Sequence, residues 1–510
     1  MSIPPKPTDN RFRPVMERLE PREAPAAIAI ADFYSIRGGR TLSSIQPNRF
    51  GVAGVLLNDF DDALVPISNR GMTAFLNAPP TDTATGLPVV TQFSFANNGG
   101  FVFRAPKNFN GVVQFNYRAV TANGLISPST PVFITVTSSI RRLAVGADQG
   151  SDSTVAVYDP TTKFQLFAFN AFDGGFKGGV RVATGDFNRD NIDDIVVVAG
   201  PSAGPHVKIF DGRTGGQIAS FFAFDQGFNG GLEVAVGDLN GDGADDLVVS
   251  AGSGPNAHVK VFNGTRLSDP AFDPDKPTNV LASFFAYGGG ETNGVRVAVG
   301  DVDGNEVNKL ITAPAQGSTL VKVFDVSSGN AIETKTFFGG NRDDTRGLFV
   351  TSGDFDGDYT DEIAVGSGSG TPEARIYSAV FGDRSTMVLT RGIGAGSFTD
   401  NFVSDSFTTP INTNGVPNYL LGTLTSPAGA QTGLVGRPNA SKPGNLQGYT
   451  GGLRVTVDYA NLDNNADLVL AQGPGGFPRV QVLSGLDFST LADFTVFPGF
   501  FGGLNVGGRF

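Results

Sequence analysis

Four segments of this chain place oxygen-bearing side chains at alternate positions and then run into an apolar stretch. They are GDFNRDNIDDIVV from Gly185, GDLNGDGADDLVV from Gly237, GDVDGNEVNKLIT from Gly300 and GDFDGDYTDEIAV from Gly353. Carboxylates and amide carbonyls two residues apart around a tight turn make an oxygen-only donor set. Such a set suits a hard divalent cation, calcium above all, which takes about six to eight oxygens in flexible geometry. In the second segment Asp238, Asn240 and Asp242 point one way, Gly243 lets the chain reverse, Ala244 offers its backbone carbonyl and Asp246 closes the sphere. The first repeats this with Asp186, Asn188, Asp190, Ile192 and Asp194, and the fourth with Asp354, Asp356, Asp358, Thr360 and Glu362. The third keeps Asp301, Asp303 and Asn305 but closes on Lys309. A fifth segment, from Gly451, keeps Asn461, Asp463 and Asp467 but opens on Tyr459. An EF-hand is excluded, because the loop is shorter and leads into a strand. The bland alternative is an Asx-rich turn without an ion. It stays open for the segments with Lys309 and Tyr459.

Elements of fixed period must position these loops. GLEVAVGDLNGDGADDLVVSAGSGPNAHVKVFNG, from Gly231, aligns with GVRVATGDFNRDNIDDIVVVAGPSAGPHVKIFDG, from Gly179, and Phe-rich runs follow at Phe221 and Phe284. The opening aspartates stand 52, 63 and 53 residues apart, the long interval holding a polar insertion around Asp269–Pro277. Four β-branched or aromatic runs per unit, separated by Gly, Asn or Asp turns, describe the four-stranded blade of a β-propeller. A parallel β-helix uses much shorter coils. Between Asp354 and Tyr459 lie 105 residues, two periods. Their middle, from Pro410 to Asn418, carries Asn412, Asn414 and Asn418 at loop spacing and reads as a degenerate blade, with a plain insertion as the alternative. The unit from Leu143 lacks a first strand, and Gly502–Phe510 supplies one at the other end. A ring closed by that strand leaves no open edge. The expected fold is all-β: a seven-bladed propeller over 139–510, or six blades with an insertion, preceded by a β-sandwich.

These units resemble FG-GAP (VCBS-type) repeats, the propeller repeat of integrin α-subunit heads and of many bacterial surface proteins. The resemblance runs from Arg141 to Phe510 and implies calcium in the loops. The segment from Phe33 to Thr137, with VLLNDFDD at Val55 and NNGGFVFRAPKNFNGVVQFNYRAV at Asn97, resembles bacterial cadherin-like or Ig-like modules. It is taken as a sandwich over 31–138. Asp59, Asp61 and Asp62 are candidate calcium ligands in such a module, but solvated turn residues are the better reading. Residues 1–30 are polar and proline-rich, and FRPVMERLEPREAPA resembles an N-terminal segment of large surface proteins from environmental bacteria. The bland reading of this stretch is a disordered tail.

Composition and the remaining motifs narrow the function. A net charge of -12 argues against a nucleic-acid partner, which requires basic patches. The absence of cysteine excludes a disulfide framework and a thiolate metal site. No apolar run approaches the ~18 residues that cross a bilayer, and Ala24–Ala31, behind Glu17, Glu20 and Glu23, is not an ordinary secretory signal. His206 and His258 occupy one repeat position, so they mark a strand start and not a catalytic pair. The string Gly200-Pro-Ser202-Ala-Gly204 joins two strands, whereas a nucleophile elbow needs a strand followed by a helix. The Phe-rich runs suit inter-blade packing better than a sugar platform. The expectation is a monomeric, extracellular or surface-bound bacterial protein. It binds calcium and uses the propeller, without catalysis, to adhere to a protein or glycan. The alternatives are a structural surface-layer or matrix component and, third, a propeller enzyme acting on polysaccharide. Acid, Tyr, His or Arg groups converging on the central channel favour an enzyme; an exposed aromatic or charged patch on one rim favours adhesion.

Overall fold

The structure is a computed structural model. It describes residues 27–508 apart from 39, 47–52, 62–70, 90–91, 107–108, 173, 254–256, 289–292, 341, 370–372, 381–382, 395–451, 462 and 464. The chain divides into two compact units, Met1–Thr137 and Ser138–Phe510. No helix among the described residues is long and apolar enough to cross a membrane.

The larger unit is a β-propeller. Strands rich in Val, Ile and Phe, broken by Gly and Asx turns, form antiparallel four-stranded sheets in sequence order. The second sheet, for example, runs Val180–Gly185, Asp194–Ala199, His206–Phe210 and Gln217–Phe222. Six such sheets are described, the sixth starting at Leu453–Asp458. The first sheet draws Leu143–Ala147, Thr154–Tyr158 and Gln165–Asn170 from its own segment. Its innermost strand is C-terminal: Leu504–Gly507 pairs antiparallel with Leu143–Ala147, Val506 opposite Val145. The innermost strands of successive sheets pack on one another, and Leu453–Asp458 packs on Leu504–Gly507. Close approach near the axis leaves no room for a side chain at the glycines that end five of these strands. A Cβ on Gly237 would lie 2.5 Å from Val299, and one on Gly353 2.7 Å from Ala466.

Further from the axis, sheets are joined by aromatic pairs between the outer strand of one and the third strand of the next. The pairs are Phe169–Phe210, Phe221–Phe262, Phe284–Phe324, Phe337–Tyr377 and Phe494–Tyr158, with centroids 4.5–5.3 Å apart. The Phe-rich runs therefore serve inter-sheet packing. A seventh blade would stand between Leu348–Gly353 and Leu453–Asp458, yet those two strands pack directly on each other. The residues expected to build it, Pro410–Asn418, lie outside the described residues.

In the smaller unit a four-stranded sheet contains Asp32–Arg37, Thr130–Thr137, Gly111–Val120 and Thr73–Asp82. A three-stranded sheet contains Thr41–Ser43, Phe101–Arg104 and Gln92–Phe95. Phe101 and Phe103 of the latter share one core with Phe115, Tyr117, Val132 and Ile134 of the former. The alternating burial of Gly111–Val120 follows the period-two pattern of a strand with one buried face.

Candidate functional site

Each acidic loop is the hairpin between the innermost and second strands of a sheet, so the pairing Gly185 opposite Asp194 or Gly237 opposite Asp246 fixes both ends. The chain turns through left-handed residues at two fixed places. These are Arg189 and Asn191, Gly241 and Gly243, Gly304 and Glu306, and Gly357 and Tyr359, all with φ between 62° and 82°. Glycine at the first of these places costs nothing; arginine there is strained.

The carboxylates organise the turns. Asp238 accepts N–H bonds from Gly241 and Gly243 at 2.8 and 3.0 Å, and Asp354 does the same for Gly357 and Tyr359 at 2.7 and 2.9 Å. Asp186 accepts from Asp190 and Asn191. Ile192, Ala244 and Thr360 each donate their N–H to the acid two residues earlier, an Asx turn repeated in three loops. The closing acids lie buried at strand starts. Asp194 accepts from Phe187 and Gly212, Asp246 from Leu239 and Gly264, and Glu362 from Phe355. Burial pushes the carboxyls of Asp194 and Asp246 up to about 7. Burial, with Asp356, Asp354 and Asp358 nearby, holds Glu362 well above the ordinary range. Repelling, desolvated carboxylates of this kind fit a divalent cation. The fit is tightest where ligand oxygens of Asp354, Asp356 and Glu362 lie within 4.8 Å of one another. In the first loop the Arg213 guanidinium already reaches Asp190, at 3.2 Å, and in the second Asn240 Nδ2 donates to Asp242 at 2.9 Å.

The loop at Asp301 differs from the other three in its closing residue. The Lys309 ammonium, 2 % exposed, stands 3.5 Å from Asp303 and 3.6 Å from Asp325, and donates to Asn305 Oδ1 and the Val307 carbonyl. The ammonium thus stands among Asp303 and Asn305, while Asp301 caps the N–H groups of Asn305 and Glu306. In the sixth sheet Asn461 Nδ2 donates to Asp463, Asp467 accepts from Ala460 and Asn461, and the Arg141 guanidinium covers the Tyr459 ring at 4.6 Å. The loop carries a buried carboxylate one residue early, at Asp458, where the other sheets have glycine; burial pushes it up to about 7.

One set of acids escapes a reading by ligand spacing. Asp245 Oδ2 accepts the N–H of Asp186 from the neighbouring loop at 3.0 Å, and Asp361 Oδ2 accepts that of Asp301 at 2.8 Å. These are inter-sheet clamps. The only sequence signal is the doubled acid at the loop's end, Asp245-Asp246 or Asp361-Glu362. His206 and His258 make the same bond in successive sheets, to Ser220 and Ser283 at 2.8 Å, and pack on Phe222 and Phe285. Ser202 lies between strands Asp194–Ala199 and His206–Phe210. Asp59 is not a solvated turn residue: it is 1 % exposed and accepts from Tyr117 Oη and Ile30 N. Asp62 lies outside the described residues.

At the other end of the innermost strands, side chains from all six sheets converge. The second residue of each is Arg181, Glu233, Arg296, Phe349, Arg454 or Asn505. Asp148 joins them from the first sheet, at a position held by Gly200, Gly252, Ala315, Gly368 and Gly473 elsewhere. Arg454 donates to Asp148 at 2.8 Å, Arg181 stands 3.4 Å from Asp148 and 3.6 Å from Glu233, and the guanidinium of Arg296 lies 3.6 Å over the Phe349 ring.

A family model described as FG-GAP repeat matches residues 230–265. No curated protein matches the chain. Among solved structures, the nidogen/laminin complex aligns at 10% identity over 72% of this chain and 98% of that one, with a TM-score of 0.38. A Bacteroides caccae protein of unknown function aligns at 12% over 72% and 99%, with a TM-score of 0.37. A rhamnogalacturonan lyase from Bacillus licheniformis aligns at 12% over 92% and 70%, with a TM-score of 0.29.

Proposed function

We propose that this protein is a calcium-binding, non-catalytic propeller that adheres to a protein or glycan, and that its ring has six blades. Direct packing of Leu348–Gly353 on Leu453–Asp458 favours six, with the intervening segment as an insertion. The sheets that share the Phe101–Phe115 core are read as a cadherin-like sandwich. The observation that carries the calcium reading is the convergence of Asp354, Asp356 and Glu362 at a position that recurs from sheet to sheet. Asp358 and the Thr360 carbonyl would complete that site. Asp186, Asn188, Asp190, Ile192 and Asp194, and Asp238, Asn240, Asp242, Ala244 and Asp246, would hold further ions. Bound calcium would neutralise carboxylates that otherwise repel, and would fix each hairpin against its neighbour.

The extracellular or surface location, on a bacterium, rests on the FG-GAP-like text and the cadherin-like segment. A second reading, an enzyme acting at the channel, draws on the arginines gathered there. It is the weaker, because both acids at that end stand beside guanidiniums. Against its burial, Asp148 is held below the usual carboxylate range by Arg181 and Arg454. Such an acid is a poor proton donor at neutral pH. Isothermal titration with calcium decides the main reading: saturable binding, reduced by one class of site in Glu362→Gln, is expected. No binding in the wild type would overturn it. Steady turnover of polysaccharides or esters, abolished by one change that spares fold and calcium binding, would overturn the non-catalytic part.

A further inference from the structure

The six-membered gathering at the channel end is not electrically balanced. Contacts run around the axis from Glu233 through Arg181, Asp148, Arg454 and Phe349 to Arg296. Three guanidiniums face two carboxylates, in a chain whose net charge is -12. Asp148 is shared by Arg181 and Arg454. Glu233 is met by Arg181. Among the described residues no carboxylate stands within ion-pair distance of Arg296. Its Nη1 donates to the Leu348 carbonyl at 3.0 Å, its flat face covers Phe349, and its buried Nε makes no hydrogen bond. Burial depresses this guanidinium to about 10, with Glu233 opposing and Arg454 and Arg181 reinforcing the shift. The group is therefore a desolvated cation with anions near it but none at ion-pair distance.

Solvent reaches this place, for the side chains of Arg181 and Glu233 are 19% and 16% exposed. The small residues at the positions equivalent to Asp148 keep it open; a Cβ on Gly200 would lie 2.6 Å from Arg181 Nη1. On the same end of the sixth sheet, Phe477 and Phe501 are 73% and 54% exposed, with centroids 6.0 Å apart. They belong to the loops before Arg479 and before Leu504. Guanidiniums pair with carboxylates in plane, and exposed aromatic faces suit the C–H face of a sugar ring. We infer that this end of the channel binds the carboxylate of a sugar acid, with Arg296 as its principal partner. The site is separate from the acidic loops: Arg181 is the second residue of strand Val180–Gly185 and Asp186 follows its other end, about 16 Å away at ~3.3 Å per residue.

The test is titration of the full chain with glucuronate, acetate and glucose at low ionic strength, in EDTA, which removes any contribution of the loops. Saturable glucuronate binding, weaker acetate binding and no glucose binding are expected. Arg296→Gln should weaken glucuronate at least tenfold. Glu233→Gln, which deletes the competing internal anion, should strengthen it severalfold without disturbing the fold. Absence of saturable glucuronate binding, or unchanged affinity in Glu233→Gln, would overturn the inference. Acetate binding as tight as glucuronate would overturn its sugar part. If Arg296→Gln does not fold, Arg296→Lys is the substitute. It keeps a positive charge but loses the planar fork, and it should still lose affinity.

Discussion

Gly241 shows how narrowly single residues are constrained in these loops. Its φ is +76°, and an added Cβ would meet only Val307, at 3.7 Å. Space is free and only the backbone conformation objects, so Gly241→Ala should cost about 1 kcal/mol, read from a denaturant midpoint. Lys309 tests the opposite idea, that a cation is built in. Lys309→Asp restores the acid found at the closing position elsewhere. In EDTA it should be destabilised by about 2 kcal/mol through loss of charged hydrogen bonds, and calcium should recover part of that loss, which it cannot do in Lys309→Met. Asp32 and Asp59 set a pH dependence in the smaller unit. Burial raises both, Asp32 to about 7 and Asp59 to about 6, while Tyr117 donates to Asp59. The native state then holds more protons than the unfolded chain between pH ~4 and about 7, so stability must fall as pH rises through that window. The melting transition of the smaller unit should move down from pH 5 to pH 8, and Asp32→Asn should flatten the slope. A transition that climbs over that range would refute this assignment.

At the scale of elements, the propeller is legible because four strands recur with their turns, and the same turn needs the same residues. Gly241, Gly243 and Gly357 mark left-handed backbone by residue type alone. Leu504–Gly507 is legible by its likeness to the first strand of each unit and by the lack of one before Leu143. Other features leave weaker traces. A run of two periods can hold a blade or an insertion, and asparagines at loop spacing do not distinguish them. Asp245 and Asp246 are adjacent and chemically identical, yet one clamps the preceding sheet and the other closes its own loop. The channel gathering has no periodic text at all: Arg, Glu, Arg, Phe, Arg and Asn share one position, and only ring closure brings them together. The closing strand supplies the element-level prediction. Removing Gly502–Phe510 exposes the edge of Leu143–Ala147 and the flank of Leu453–Asp458. The truncated chain should melt markedly earlier or elute as aggregates. A monomer with unchanged melting would mean that the ring tolerates an open first sheet.

At the scale of the whole molecule, two compact units predict two responses to calcium. The ion binds the folded loops and not the unfolded chain, so it stabilises by mass action, by about 2.7 kcal/mol at a hundredfold excess over its dissociation constant. That constant should be about 10⁻⁴–10⁻³ M, the range of extracellular modules. The loops all belong to the unit from Ser138 onward, so only its melting transition should move between EDTA and millimolar calcium. The transition of the smaller unit should stay where it is. Asp242→Ala should shrink the shift in proportion to the one loop it disables, because each blade is also held by its neighbours. Its transition in EDTA should change little, since Asp242 there caps only Ala244 and meets Asn240. If both transitions moved together with calcium, the ion would be acting on the smaller unit as well, and the loops would not be its sole seat. If neither moved, the carboxylates would be turn-formers alone, and the buried charge at Glu362 would have to be relieved by protonation.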